Sequence, residues 1–363
     1  MNKTSKISYI SIIICLLLIV IFFLNGYKNF IGIPIILVFI FLSFIVRYTD
    51  TYKSLSFTIL IFAAIALAMF YPEYFVQAGD FKLKKLIVPL LQIIMFGMGA
   101  SMSINDFKSV INMPKGVLIG LICQFTIMPI LGFSIANLFG FSSEIAAGIV
   151  LIGCSPSGLA SNVMVYLAKA NLALSITLTT ISTLLAPFLT PLLMRVFAGE
   201  FIPIDVLDMM FSIVKMVILP IIAGLIFNKF FHGKIAWLDV IMPKISMGAI
   251  AFIIVIIIAA GRDNLLDIGL LLILAAIIHN ISGYFLGYWG CKLLKLKETD
   301  CRTIAIEVGM QNGGLASGIA SELGKLATVG LAPAIFGPWM NISGSALASW
   351  WRDRTVEEEE GLD

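Results

Sequence analysis

Glu307 opens a stretch unlike the apolar sequence around it: Glu307-Val308-Gly309-Met310-Gln311-Asn312-Gly313-Gly314-Leu315-Ala316-Ser317. A second interruption, Gly153-Cys154-Ser155-Pro156-Ser157-Gly158-Leu159-Ala160-Ser161-Asn162, brings hydroxyls and an amide, and both stretches close on Gly-Leu-Ala-Ser. Ser175 and Thr179 follow four residues apart, so their hydroxyls share one helix face. Gln124 adds an amide to an earlier apolar run. One carboxylate, several amide and hydroxyl oxygens and the carbonyls exposed by a glycine-rich break suit a hard cation. A soft metal is excluded: Cys15, Cys123, Cys154, Cys291 and Cys301 are scattered as packing thiols, and His232 and His279 lie far apart. There is no nucleophile beside a base, no aspartate pair and no H-E-x-x-H run, so the chemistry on offer is binding and not catalysis.

The elements that hold these residues are membrane helices. Of 363 residues, 60% are hydrophobic and only 12% charged, with a mean hydropathy of +1.04. Soluble domains carry about 25% charged residues, so the chain reads as an all-α polytopic membrane protein. The net charge of +3 is small and its basic residues sit at span ends, which excludes a phosphate-neutralising stripe for nucleic acid. At about 20 apolar residues per crossing, the spans fall near 7–24, 30–46, 54–71, 86–104, 114–138, 143–169, 171–197, 205–230, 239–260, 267–294, 300–322 and 328–350. The first run ends Leu24-Asn25-Gly26-Tyr27-Lys28 with no small-x-small cleavage site and is expected to stay as a membrane helix. Within the fourth, Phe96-Gly97-Met98-Gly99 allows close helix packing.

Loop charges set the expected orientation. With the N-terminus inside, fifteen basic residues fall on inner loops and seven on outer ones, so both termini are expected in the cytoplasm. Lys82, Lys84 and Lys85 run against the trend. The sixth and eleventh spans carry the interruptions and, being five crossings apart, traverse the bilayer in opposite senses. In lipid a broken helix survives only where protein or a cavity replaces its lost hydrogen bonds, and two breaks in corresponding places mark a transporter binding site. The count therefore predicts an inverted 5+5 helix repeat with two broken crossing helices, spans 3–7 against 8–12, preceded by two extra N-terminal transmembrane helices over residues 1–52. An acidic tail over 352–363, with Glu357 to Glu360, is expected to be solvated. His279 reads as a hydrogen-bonded structural residue, Lys215 as snorkelling or meeting a cavity, and Trp339, Trp350 and Trp351 as an interfacial belt.

Several long motifs match, in order, those of bacterial bile acid:sodium symporters. They are Gly153 to Ser175 with Ala160-Ser161-Asn162-Val163-Met164-Val165-Tyr166-Leu167-Ala168-Lys169 and Asn171, then His279-Asn280, Glu307 to Asn312, and Asn341-Ile342-Ser343-Gly344-Ser345. The chain resembles that family over about 54–350. The resemblance implies one ten-helix symporter over 53–351, with a panel domain at about 54–104 and 205–260 and a core domain at about 114–197 and 267–350. Carried over by motif, one sodium site uses Ser161, Asn162, Ser175, Thr179 and Glu307. A second uses Gln124, Glu307, Val308, Met310 and Gln311, partly through carbonyls. Asn312, Asn341 and backbone at Leu159 and Ala160 would face substrate. The chain departs in two places: Ser157-Gly158-Leu159 stands where relatives commonly have Gly-Gly-Thr, and Met340 where close bacterial relatives often have His.

The resulting expectation is sodium-coupled secondary import of an organic anion across the cell membrane, two Na⁺ per substrate, by core moving against panel. The anion is bile-acid-like or a small hydroxy or keto acid such as pantoate. No cofactor is expected beyond the coupling ion; lipid is a partner, and the composition allows a homo-oligomer. Two alternatives are a proton-coupled transporter titrating Glu307 and a ligand-binding sensor or structural membrane protein.

Overall fold

In a computed structural model, residues 3–27, 30–48, 55–102, 113–231 and 236–354 are described. Among the described residues, fifteen helices of eight or more residues carry the fold. They are α1 Lys3–Leu24, α2 Gly32–Arg47, α3 Leu55–Phe70, α4 Ile87–Ser101, α5 Pro114–Leu138, α6 Ser143–Cys154, α7 Ala160–Leu167, α8 Leu172–Ala198, α9 Val206–Ile213, α10 Leu219–Phe231, α11 Ala236–Ala260, α12 Arg262–Leu293, α13 Glu298–Gly309, α14 Gly313–Glu322 and α15 Leu331–Arg352. A π-helical turn, Val214–Ile218, joins α9 to α10, and a two-residue antiparallel ribbon (Gln77–Ala78 with Phe81–Lys82) precedes α4. Among the described residues, seven helical segments are long and apolar enough to cross a membrane unaided. The protein is an all-α, multi-pass membrane protein.

Every expected span coincides with one helix or with two joined end to end, and the sixth and eleventh are the ones split, into α6/α7 and α13/α14. Helix α12 starts at Arg262, about a turn before the apolar run. Its first turns are polar (Arg262, Asp263, Asn264), and Arg262 Nε is held by Met69 O at 2.7 Å, so the helix extends past the apolar edge. Lys28, Lys53, Lys108, Lys234, His232 and Glu357 to Glu360 lie outside the described residues.

Helices α6 and α13 form the centre. Every residue from Ile145 to Cys154, and from Cys301 to Gly309, is buried. A half-helix enclosed on all sides carries no polar face unless it is functional, which isolates Glu307 as the residue to explain. Small residues let neighbours close in. A Cβ on Gly99 of α4 would fall onto Ile221 O of α10, and one on Gly224 onto Phe96 O, as the Phe-Gly-Met-Gly run predicts. Helices α1 and α2 stand to the side: α1 packs on α2, and α2 on α3, where Ser43 Oγ donates to Ser56 O (3.0 Å) and Ser56 Oγ to Ser43 O (3.2 Å).

Matching clamps hold the far ends of the four half-helices. At one end Glu144, opening α6, accepts from Lys325 Nζ and from Thr328 Oγ1 (2.6 Å), just past α14. At the other, Asp300 and Thr303 of α13 bind Asn171, just past α7, with Asn171 Nδ2 donating to Asp300 Oδ1 at 2.7 Å and Asn171 N to Thr303 Oγ1 at 2.9 Å. Helices α7 and α14 also stop alike, on a left-handed residue (Lys169, φ 53°; Gly324, φ 70°) with the next amide reaching back five residues, Ala170 N to Val165 O and Lys325 N to Ala320 O.

Candidate functional site

The two breaks meet as a minimal antiparallel bridge. Gly158 N donates to Met310 O and Asn312 N to Pro156 O, each at 2.8 Å, pairing Ser157 with Gln311. Side chains satisfy the other freed backbone groups. Ser157 Oγ donates to Glu307 O (3.0 Å), Asn280 Nδ2 to Gly309 O (2.7 Å) and Thr190 Oγ1 to Cys154 O (2.8 Å). Asn280 is fixed in turn by Ser343 Oγ, which donates to its Oδ1 at 2.6 Å. Broken helices at this depth require such replacements. Gly158 is glycine because a Cβ would stand 2.8 Å from Gln311 O.

Glu307 is 2% exposed, and its carboxylate faces a cage of neutral groups. Ser161 Oγ of α7 and Ser175 Oγ of α8 donate to Oε1 at 2.5 Å each, and Thr179 Oγ1 of α8 donates to Oε2 at 2.9 Å. Ser175 also lies 2.7 Å from Asn162 Oδ1 and Thr179 3.4 Å from it. The predicted set of Ser161, Asn162, Ser175, Thr179 and Glu307 is therefore brought together in one place, contributed by α7, α8 and α13. No lysine, arginine or histidine pairs with Glu307 among the described residues. Nor do they hold any cluster of three or more His, Cys, Asp or Glu; the groups around Glu307 are neutral oxygens, a donor type that suits a hard cation.

The second predicted group assembles beside it. Gln124 Nε2 of α5 donates to Ser155 O (2.9 Å) and to Gln311 Oε1 (2.6 Å), while Gln311 Nε2 donates to Val308 O (2.6 Å). Met310 O takes the bridge amide of Gly158. Each of these oxygens keeps a second lone pair, but the interlock shows Gln124 also bracing the crossing. Replacing Gln124 by Leu leaves Ser155 O and Gln311 Oε1 buried without this donor, at about 1–3 kcal/mol each. The expected result is a fall of several degrees in melting temperature of the purified protein even without ligand, which thermal unfolding of Gln124→Leu beside wild type checks.

A cavity of about 120 Å³ abuts the bridge. One wall is the crossing itself, with Leu159, Ala160, Met310, Gln311 and Asn312; α15 adds Met340 and Asn341; the opposite wall is apolar, with Ile61, Ile94, Met95 and Ile253 from α3, α4 and α11. The four predicted substrate positions, Leu159, Ala160, Asn312 and Asn341, all border it. Asn312 Oδ1 caps α14 by accepting from Leu315 N at 3.0 Å, so the group Asn312 has to offer a ligand is its amide N–H. The amino ends of α7 and α14 both open here, and the positive ends of their dipoles favour an anion.

Ser157, Asn280 and Thr190 carry this geometry too and were not among the predicted site residues. Their signal in the sequence is a hydroxyl or amide inside an apolar span, which also describes many residues that merely bond their own helix, as Thr183 does to Thr179 O. His279 is as expected, its Nε2 3.1 Å from Met128 O. Lys215 is exposed, on the π-helical turn.

Residues 88–268 match the family model for the Sodium Bile acid symporter family. The chain is 41% identical over 318 residues to the uncharacterized sodium-dependent transporter YocS of Bacillus subtilis, spanning 87% of this chain and 97% of that protein. It is 33% identical to the probable chloroplastic sodium/metabolite cotransporter BASS1 of Oryza sativa subsp. japonica, over 82% of this chain and 73% of the relative. Its identity to the Arabidopsis thaliana BASS1 cotransporter is 34%, over 72% of this chain and 65% of the relative. With its helices broken where the sequence motifs stand and with these relatives, the chain belongs to the sodium bile acid symporter family.

Proposed function

We propose that this protein is a secondary active importer of a small organic anion, coupled to two sodium ions, in which a core (114–197 and 267–350) moves against a panel (54–104 and 205–260). The observation that carries the reading is Glu307: a buried carboxylate whose partners are all neutral. Burying an unpaired charge is costly, so the site calls for a cation to enter. Ser161, Asn162, Ser175, Thr179 and Glu307 form one ion site; Gln124, Glu307, Val308, Met310 and Gln311 form the second. The matching end clamps and chain stops of α6/α7 and α13/α14 support two five-span units in inverted orientation. The acid is shared between the two sites, so loading one ion and then the other leaves a net positive charge at the crossing.

That charge, the amide of Asn312 and the amino ends of α7 and α14 together attract a carboxylate into the adjoining cavity. At about 120 Å³ the cavity suits a compact acid, since drug-sized ligands occupy about 300–1,000 Å³. A small hydroxy or keto acid is preferred over a steroid. Two cations with one monoanion move one net charge per cycle, worth about 2.3 kcal/mol per 100 mV. The excess of basic residues on one set of loops supports a cell-membrane protein with both termini in the cytoplasm.

The experiment is uptake by proteoliposomes of a panel of radiolabelled small carboxylates, with Na⁺ outside and an inside-negative potential. The expected result is saturable uptake of at least one acid, stimulated by the potential and lost when K⁺ replaces Na⁺. Undiminished uptake without sodium, driven by a proton gradient, overturns sodium coupling.

A further inference from the structure

A second cavity, of about 780 Å³, is lined chiefly by α12 and α15. It is a groove on the flank of α12 and α15, walled by Phe285, Tyr288, Trp289, Ala346 and Trp350 and closed at one end by Glu298, Arg302 and Arg354. We propose that this groove seats an anionic phospholipid, its phosphate at Arg354 and one acyl chain along the aromatic wall between α12 and α15.

The charge arrangement favours an anion at the closed end. Arg302 is committed and nearly buried: Nε donates to Glu298 Oε1 at 2.9 Å, and a terminal nitrogen reaches the carbonyls of Trp351 and Arg354 at 3.3 Å. Lys292 Nζ takes the other oxygen of Glu298 at 3.2 Å. The single acid is thus met by two bases. Arg354 is exposed, lies 3.8 Å over the ring of Trp350, and pairs with no carboxylate among the described residues. Stacking fixes the guanidinium plane and leaves its N–H edges free, the geometry that takes a phosphate in two hydrogen bonds.

The length of the trough fits as well. From Trp339, which also lines it, to its last residue Arg352, α15 rises about 20 Å at 1.5 Å per residue. One leaflet with its headgroup layer is about 20–22 Å, half of the full bilayer. Tyr288, Trp289, Trp350 and Trp351 gather at the charged end, where amphipathic rings settle at headgroup level. A basic pocket between membrane helices above an apolar trough is a headgroup site. Such a groove needs only a surrounding membrane, whatever ions and substrate the crossing takes.

The test is thermal unfolding and native mass spectrometry of the full-length protein in detergent, with phosphatidylglycerol or phosphatidylcholine of the same chains added. The expected result is a rise of several degrees with phosphatidylglycerol only, and one phosphatidylglycerol retained per chain. Arg354→Gln, at an exposed position, should remove both; so should Ala346→Trp, which fills the trough from another exposed position. Equal effects of the two lipids, an unchanged response in Arg354→Gln, or the same shift from glycerol 1-phosphate alone would each overturn the proposal, the last because it needs no acyl chain.

Discussion

Glu307→Gln is expected to abolish the response to sodium while leaving the sodium-free protein at least as heat-stable as wild type. In the absence of a cation the carboxylate is held by three hydroxyls from Ser161, Ser175 and Thr179 and by nothing of opposite charge. A neutral amide of the same shape removes a buried charge, and the hydroxyls can rotate to serve either of its ends. With sodium present the sign reverses. Removing one partner of a buried charge pair costs about 3–5 kcal/mol, equivalent to roughly a 100-fold or greater loss of ion affinity. Melting curves in NaCl and KCl for both proteins check this. Wild type should gain stability in NaCl, Glu307→Gln should give superimposed curves, and uptake in the variant should fall to background. A sodium-induced shift of undiminished size in Glu307→Gln would remove this residue from the ion site.

Gly158→Ala is the second large effect, and it acts through backbone. The added methyl would lie 2.8 Å from Gln311 O and 3.2 Å from its carbon, and this neighbour is main chain held in the bridge, so it cannot swing aside. Overpacking of this kind costs about 1–3 kcal/mol. The larger consequence is positional. Ser161 follows three residues later and bonds Glu307, and a binding constellation tolerates only about 0.5 Å of displacement. Uptake should fall by about 10-fold or more, although the protein still inserts and purifies. Gly248→Ala is the control: it is a glycine of α11 with open space around its Cβ position, where alanine favours the helix by about 1 kcal/mol. Its uptake should match wild type. If both variants transport equally, the close approach at the bridge is not what keeps Gly158 a glycine.

The spans were legible because lipid leaves the backbone few options: apolar runs of sufficient length must be helices. The breaks were legible for the same reason, since Gly153 to Asn162 and Glu307 to Ser317 put glycine, amides and hydroxyls where apolar side chains would otherwise be. Thus Ser161, Ser175, Thr179 and Glu307 could be read together before any coordinates, and they do converge. What the sequence withheld is pairing across distance. That Gln124 reaches Gln311, 187 positions away, and that Asn280 holds Gly309 O depend on which helices lie side by side. Periodicity along one span carries no such information. The capping of α14 by Asn312 was hidden for another reason: Asn before a glycine pair serves equally as a cap or as a ligand, and the orientation of its amide decides what it offers. The groove beside α15 was legible only as scattered tryptophans, because the basic residues that close it come from both α13 and the end of α15.

Equilibrium binding of ²²Na⁺ to the purified protein tests the cation cage around Glu307 most directly. Saturable binding that approaches two ions per chain is expected, competed by unlabelled Na⁺ and not by K⁺, and absent from Glu307→Gln. Saturable binding that survives in that variant, or none in wild type at any accessible sodium concentration, would contradict it.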